Sequence, residues 1–292
     1  MKEITRNRWK KFGYFWLSLV PMAGYMAIMF MITIILMVMM IVKGMVNQQE
    51  DILAYVMEQV AGSSMLAGVI YAIIAIVGMG LWYYFGCKKK QLKLPKGVLT
   101  PRNILILVVF AFCMQYVVSY FMSLIGILMP GALENYMELM EIAGVGEITV
   151  SGILYGVILG PIAEELVFRG LTLHYAQKFT KRFWLANIFQ AVLFGIMHMN
   201  LMQGIYAFAL GLIIGWLYKK FKTLYAPICF HIIFNGLAFG PMEVIDGILP
   251  QNMVFQIIWG IGMCAVAIAM IMFLHKNAQA PIVEEICQQA KE

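Results

Sequence analysis

Long apolar runs without any Asp, Glu, Lys or Arg alternate along this chain with short polar segments. Five such runs each supply the roughly 20 residues that a membrane-spanning helix needs. They cover residues 12–42, 60–87, 103–133, 223–242 and 247–274. The pattern therefore predicts five transmembrane helices.

A sixth uncharged stretch, 183–218, is too long for one span. As a straight helix it would measure about 54 Å, well beyond a bilayer core of roughly 30 Å. The polar break at 200–204 predicts a helical hairpin, and basic residues flank the stretch on both sides. The segment 148–175 is apolar except for three charged residues and predicts one further helix. The fold class is therefore an all-α, polytopic membrane bundle of about eight helices.

Basic and acidic residues lie in alternate loops, which fits the excess of Lys and Arg that cytoplasmic loops carry. Alternate segments collect the bases: residues 1–11, the 87–102 loop, the flanks of the hairpin and the tail after 274. The opposite loops hold nine acidic residues and one base, Lys43. We therefore expect both termini in the cytoplasm and a multi-pass protein of the cell membrane. The first run is too long for a cleaved signal peptide and is interpreted as a retained helix.

Composition agrees with lipid as the solvent, since 62% of the residues are hydrophobic and 12% are charged. The net charge of +6 follows from the sidedness of the loops and does not indicate a nucleic-acid partner. None of the five cysteines lies in an outward loop, so we expect no structural disulfide. The polar segments 47–57 and 132–143 fit either short interfacial helices or plain loops.

No linker divides the chain, which predicts a single membrane domain over residues 1–292. Within it, 1–147 would hold the first three helices, 148–240 a catalytic core, and 241–292 the last helix with a cytoplasmic tail. Glycines four residues apart allow helices to approach closely in lipid. Such pairs are Gly156/Gly160, Gly211/Gly215 and Gly236/Gly240.

Three charged residues interrupt the segment 148–175. A charge in the hydrocarbon costs about 2.5–3.5 kcal/mol on insertion scales, so these residues mark a functional site by default. Arg169 lies one turn from Glu165, where an ion pair would offset the cost, whereas Glu164 points about 100° away and lacks that partner. Pro161 should kink the helix and open a small polar cavity. The alternative is that both glutamates lie at the cytoplasmic mouth of the bundle and are merely hydrated.

Two histidines lie inside later predicted spans. His198 shares a helix face with Phe194, and His231 shares one with Asn235. A single buried histidine is more often a packing residue, but two of them beside Asn and paired Glu indicate a site. His174 and His275 lie near helix ends, where interfacial solvation accounts for them.

Three motifs follow one another in successive spans: Glu-Glu-x-x-x-Arg at 164–169, Phe-x-x-x-His at 194–198 and His-x-x-x-Asn at 231–235. This ordered set resembles the CAAX-protease and bacteriocin-processing family, which includes the Ras-converting endopeptidases. The resemblance covers roughly residues 155–240. Gln190 and Ala191 depart from it, because small hydroxylated residues are common at those positions.

The resemblance implies an intramembrane endopeptidase. In such an endopeptidase, Glu164 would activate water and His198 would position that water. His231 and Asn235 would stabilise the oxyanion. The ion pair of Glu165 would hold the site together. The six candidate catalytic residues are Glu164, Glu165, Arg169, His198, His231 and Asn235.

Cofactors and partners are less constrained. Two His with one or two Glu could bind zinc, but no His-Glu-x-x-His helix is present, and we expect no obligatory metal. The resemblance implies a peptide or lipidated peptide substrate: a prenylated CAAX-like tail or a bacteriocin or signal-peptide precursor. The oligomeric state stays open.

Two other functions fit the same residues. The first is a non-catalytic bacteriocin-immunity or peptide-binding membrane protein. The second is a proton-coupled transporter, since buried Glu and His can relay protons. Transporters commonly contain internal repeats, and the first half of the chain carries no motif that matches the second.

Overall fold

The computed structural model describes residues 2–87, 99–142 and 148–277, and within these ranges the chain forms helices and turns without any strand. The basic cluster at 88–90, Glu147 and the tail after residue 277 lie outside the described residues. The prediction of an all-helical, polytopic membrane bundle is confirmed.

The helices follow the apolar runs of the sequence. They are α1 (Lys2–Val46), α2 (Ile52–Trp82, continued by a π-helical turn, Tyr83–Cys87), α3 (Pro101–Leu128), α4 (Pro130–Ile142), α5 (Val150–Thr180), α6 (Phe183–Met197), α7 (Leu201–Phe221), α8 (Tyr225–Ala238), α9 (Pro241–Ile248) and α10 (Met253–Asn277).

Among the described residues, six helices are long and apolar enough to cross a membrane: α1, α2, α3, α5, α7 and α10. Helices α8 and α9 form a seventh candidate, bent by 53° between them. Helix α6 has only 15 residues and measures about 22 Å. The eight predicted spans thus all form helices, but turns after α6 and α8 leave six or seven of full length.

Side chains at helix starts explain several boundaries. Asp51 accepts a hydrogen bond from the backbone N–H of Ala54 and caps α2. Asn200 caps α7 by accepting from Gln203, so the predicted hairpin turn falls just before residue 201. Residues 130–142 form a helix, which resolves the open choice between helix and loop for most of the segment 132–143.

Two lysines of α7 contact neighbouring helices at one end of the bundle. The ammonium group of Lys220 on α7 donates to the backbone carbonyl of His275 on α10 at 2.6 Å. The ammonium group of Lys219 lies 4.5 Å from the ring centre of Phe183 at the start of α6. We call this the basic end, and the opposite end, where α4 and α9 lie, the acidic end.

Close packing of α6 on α7 makes this hairpin compact. A Cβ atom on Gly215 would lie only 1.8 Å from the side-chain oxygen of Asn187, and one on Gly195 would lie 2.6 Å from the carbonyl oxygen of Gly204. The amide of Asn187 also donates to the backbone carbonyl of Leu212 at 3.0 Å. The interface predicted from the Gly211/Gly215 pair is therefore present between α6 and α7.

Helix α5 is irregular on both sides of its two glutamates. The α-helical turn Gly160–Glu165 lies between two π-helical segments, Ile153–Leu159 and Leu166–Thr172. Such segments are rare and frequently occur at functional sites.

Pro161 leaves one backbone carbonyl of α5 without a helical donor, and a side chain of another helix supplies the hydrogen bond. The N–H of Gly160 bonds to the carbonyl of Tyr155, five residues back. In the same register the next N–H would bond to the carbonyl of Gly156, but Pro161 has no N–H. The side-chain amide of Asn235 on α8 donates to that carbonyl at 2.8 Å. Just before Pro161, where the sequence predicts a kink, the structure has a π-helical segment tied to α8.

The coupling between Pro161 and Asn235 can be tested with a double-mutant cycle. Asn235→Ala should lower the free energy of unfolding by about 1–3 kcal/mol, because the carbonyl of Gly156 loses its donor. In a Pro161→Ala background the backbone supplies an N–H, and the cost of Asn235→Ala should fall below about 1 kcal/mol. Unfolding of all four proteins in detergent micelles measures both costs. Equal costs in the two backgrounds would show that the residues act independently.

The orientation of the bundle stays a prediction that reporter fusions can check. Green fluorescent protein fused after residue 292 should fluoresce, and alkaline phosphatase at the same place should be inactive, because the basic end faces the cytoplasm. Phosphatase inserted in the turn at 47–51 should be active. The reverse pattern would invert the assignment.

Candidate active site

Glu165 sits at the centre of a fully buried polar cluster. Its side chain is 0% exposed. One carboxylate oxygen, Oε1, accepts hydrogen bonds from Nη1 of Arg169 at 2.8 Å and from Nδ1 of His231 at 2.9 Å. A carboxylate paired with arginine can only accept, so Nδ1 of His231 carries the hydrogen. The predicted ion pair is present within α5, and a histidine from a second helix, α8, joins it.

Arg169 is also 0% exposed and has partners besides Glu165. Its Nη2 donates to the carbonyl of Gly211 on α7 at 3.2 Å, and the guanidinium carbon lies 4.6 Å from the ring centre of Phe194 on α6. Removing one member of such a buried pair generally costs 3–5 kcal/mol, because the other charge stays unpaired. This ion pair therefore connects α5 to α6 and α7.

Gln190 completes the polar layer behind the cluster. Its amide donates to the carbonyl of Gly211 at 3.0 Å and to the side-chain oxygen of Asn187 at 2.9 Å. Both side chains are 0% exposed. The departure of Gln190 from the family pattern thus has a structural role at the α6–α7 interface.

Glu164 has the opposite environment. Its side chain is 14% exposed and lines a cavity of about 690 Å³. Its Oε2 lies 3.8 Å from Nε2 of His231, whose other ring nitrogen faces Glu165. His231 therefore lies between Glu165, which is buried and paired with Arg169, and Glu164, which lines the cavity.

His198 enters the same cavity from the end of α6. Its Nδ1 donates to the carbonyl of Phe194 at 2.8 Å, since a backbone carbonyl can only accept. The Nε2 atoms of His198 and His231 then carry no hydrogen when the rings are neutral, and each can accept one. The ring of Phe194 lies edge-on to both histidines, with centres 5.0 and 6.1 Å apart.

The structure brings together the residues predicted from sequence. Glu164, His198, His231 and Asn235 line the cavity. Glu165 and Arg169 lie behind its wall. His174 and His275 do not line it.

Five tyrosines line the cavity, and none of them was predicted. Tyr25 on α1, Tyr71 on α2 and Tyr155 on α5 all line it, and the hydroxyl groups of Tyr71 and Tyr155 are hydrogen-bonded. The ring of Tyr155 packs on Gly68, where a Cβ would lie 2.6 Å from the ring. Tyrosine is common in membrane helices, so the sequence alone did not mark these residues as part of a site.

Another polar residue of the cavity wall could have been recognised from the sequence. Gln115 is one of the few polar residues in the run 103–133, and its amide donates to the carbonyl of Phe234 on α8 at 2.5 Å. A polar side chain in an uncharged span could have marked this position.

Metal coordination finds no ready cluster here. Among the described residues, no three His, Cys, Asp or Glu side chains form a group that could hold a metal ion. Oε1 of Glu165 is bound by Arg169 and His231. Zinc stays the alternative considered from sequence, and chelation of the purified protein tests it.

Comparison with known proteins matches the part of the chain that forms this site. Residues 146–237 match the family model described as type II CAAX prenyl endopeptidase Rce1-like. The chain is 32% identical over 83 residues to the protein named "Putative membrane peptidase YdiL" of Bacillus subtilis (strain 168). That match covers 28% of this chain and 34% of the relative, so the chain matches about a third of the relative's length. No solved structure matches the chain.

All six candidate residues lie inside the matched segment 146–237. The family model, the Bacillus relative and the three ordered motifs agree that this segment is similar to the CAAX-type membrane endopeptidases.

Proposed function

We propose that this protein is an intramembrane endopeptidase in which Glu164 activates water to hydrolyse a peptide bond. The contrast between the two adjacent glutamates carries the proposal. Glu165 is buried and bound by Arg169 and His231, whereas Glu164 is partly exposed in a cavity that also contains His198. One carboxylate is thus committed to structure, and the other is available for chemistry.

Glu164 acts as the general base in this proposal. It takes a proton from water, the water oxygen forms a bond to the peptide carbonyl carbon, and the proton then passes to the leaving nitrogen as the C–N bond breaks. The distance of 3.8 Å between Glu164 Oε2 and His231 Nε2 exceeds a direct hydrogen bond, and it allows both atoms to contact the same water molecule.

The remaining residues position the water and stabilise charge. The free Nε2 of His198 orients the attacking water. Asn235 uses one amide hydrogen on Gly156 and keeps a second for the oxyanion, with His231 donating from Nε2 in its protonated form. Glu165 aligns His231 through Nδ1 and is a positioning residue.

The cavity suits a peptide segment. Its volume of about 690 Å³ lies within the usual range of ligand sites. Met and Tyr side chains make up much of its lining, and polar groups concentrate at Glu164 and the histidines. We propose a membrane-associated peptide as substrate, either a lipidated tail or a secreted-peptide precursor.

Glu164→Gln tests the base while keeping the shape of the cavity. Peptide cleavage should fall by about 10²–10⁴-fold, because an amide cannot take the proton. A comparison of membrane and secreted peptides from cells with each protein identifies the substrate, and purified protein then gives the rate.

The matched control is Glu58→Gln, which changes an exposed glutamate on α2 that does not line the cavity and should keep full activity. Undiminished cleavage by Glu164→Gln would remove the proposal. If the peptide accumulates bound to both proteins and neither cuts it, the peptide-binding alternative is correct. Glu165→Gln is a poor test, since it leaves Arg169 unpaired.

Metal independence is a separate expectation. Cleavage by the purified protein should be unchanged after dialysis against EDTA and 1,10-phenanthroline, because the proposed base is a carboxylate and needs no metal-bound water. Loss of activity on chelation, with recovery on adding zinc, would contradict it. A zinc peptidase treated in parallel shows that chelation was complete.

A further inference from the structure

The lining of the cavity reaches the acidic end of the bundle. It includes Glu164 and extends to residues at four separate helix ends. These are Ser123 near the end of α3, Met199 in the α6–α7 turn, Gln203 in the first turn of α7 and Phe239 after α8. A peptide can therefore reach Glu164 from this end.

Helix α4 forms one wall of this opening. Leu133, Tyr136, Met137 and Met140 line the cavity, with the i, i+3, i+4, i+7 spacing of one helix face. Two contacts hold the helix in place. Leu133 packs on α3 where Gly126 leaves space, and Tyr136 meets the ring of Tyr206 on α7 at 6.5 Å.

The other face of α4 is acidic and exposed. Glu134, Glu138 and Glu141 repeat at i, i+4, i+7. None of the three forms an ion pair among the described residues. One short helix therefore presents apolar and aromatic side chains to the cavity and three unpaired carboxylates to its rim.

Other acidic residues near α4 add to the negative potential of its three glutamates. Eight acidic residues occupy the described part of the acidic end, against one base, Lys43. These eight are Glu50, Asp51, Glu58, Glu134, Glu138, Glu141, Glu243 and Asp246. Such a surface attracts cationic ligands and speeds their approach.

We propose that α4 selects the substrate, and that the substrate is a peptide with basic residues flanking an apolar segment, entering from the acidic end. The apolar segment lies in the cavity against Tyr136 and Met140, and the basic flank pairs with Glu134, Glu138 and Glu141. This inference rests on the proposed peptidase function, because it uses the same cavity. It adds the charge of the substrate and the side from which it arrives.

Binding measurements test the inference without relying on turnover. Two fluorescent peptides share one apolar core and differ in a flank of three lysines or three glutamines. Their affinities for purified Glu164→Gln protein in detergent micelles are compared by fluorescence anisotropy. The lysine peptide should bind about tenfold more tightly at low salt, as three exposed ion pairs allow, and the difference should shrink at high salt.

Two triple variants, each in the Glu164→Gln protein, assign the effect to α4. The combined change Glu134→Gln, Glu138→Gln and Glu141→Gln should abolish the preference for lysine. The control, Glu50→Gln, Glu58→Gln and Glu243→Gln, removes the same charge from the same end and should keep most of the preference. Matching unfolding temperatures show that both variants are folded.

The outcomes separate this inference from the proposed function. Equal affinity for both peptides, or equal loss of preference in both triple variants, overturns the role of α4. If the protein with Glu164 intact cuts both peptides equally well, the peptidase proposal stands and the charge selection fails. If the lysine peptide binds selectively but is never cut, the selection stands and the peptidase proposal fails.

Discussion

The buried contact of Glu165 with Arg169 and His231 is the interaction on which the rest of the site depends. Charges in a membrane interior are expensive, and this group is tolerated because each charge has a partner at 2.8–2.9 Å. It also joins helices: Arg169 reaches the carbonyl of Gly211 on α7, and His231 comes from α8. Glu165 is bound through Oε1 in this way, whereas its neighbour, Glu164, lines the cavity.

A second constraint acts through the backbone of α5. Pro161 leaves the carbonyl of Gly156 without a helical donor, and Asn235 supplies one. The residue that completes the helix also stands at the cavity wall next to His231. Structure and proposed chemistry therefore share the same side chains, which explains why polar residues concentrate on α5 and α8 in an otherwise apolar chain.

Much of the fold could be predicted from sequence, because lipid imposes strict local requirements. Apolar runs of about 20 residues determined the helices. The separation of basic from acidic loops predicted which helix ends lie together at each end of the bundle. The contact of Lys220 with His275 brings two of these helix ends together at the basic end. The pair Glu165–Arg169 was predictable because residues four apart lie on one helix face. The sequence by itself thus determined what is local along the chain.

Only the tertiary structure decided what is distant. Glu165 and His231 are 66 residues apart, and Gly156 and Asn235 are 79 apart, so no helical period relates them. Their contacts depend on how helices cross, which small residues and turn geometry determine together. The same holds for the shortening of α6 and α8, for the tyrosines of the cavity wall and for α4 at its mouth. Helical periodicity relates neighbours within a turn or two, whereas packing relates faces, and the cavity exists only once the faces meet.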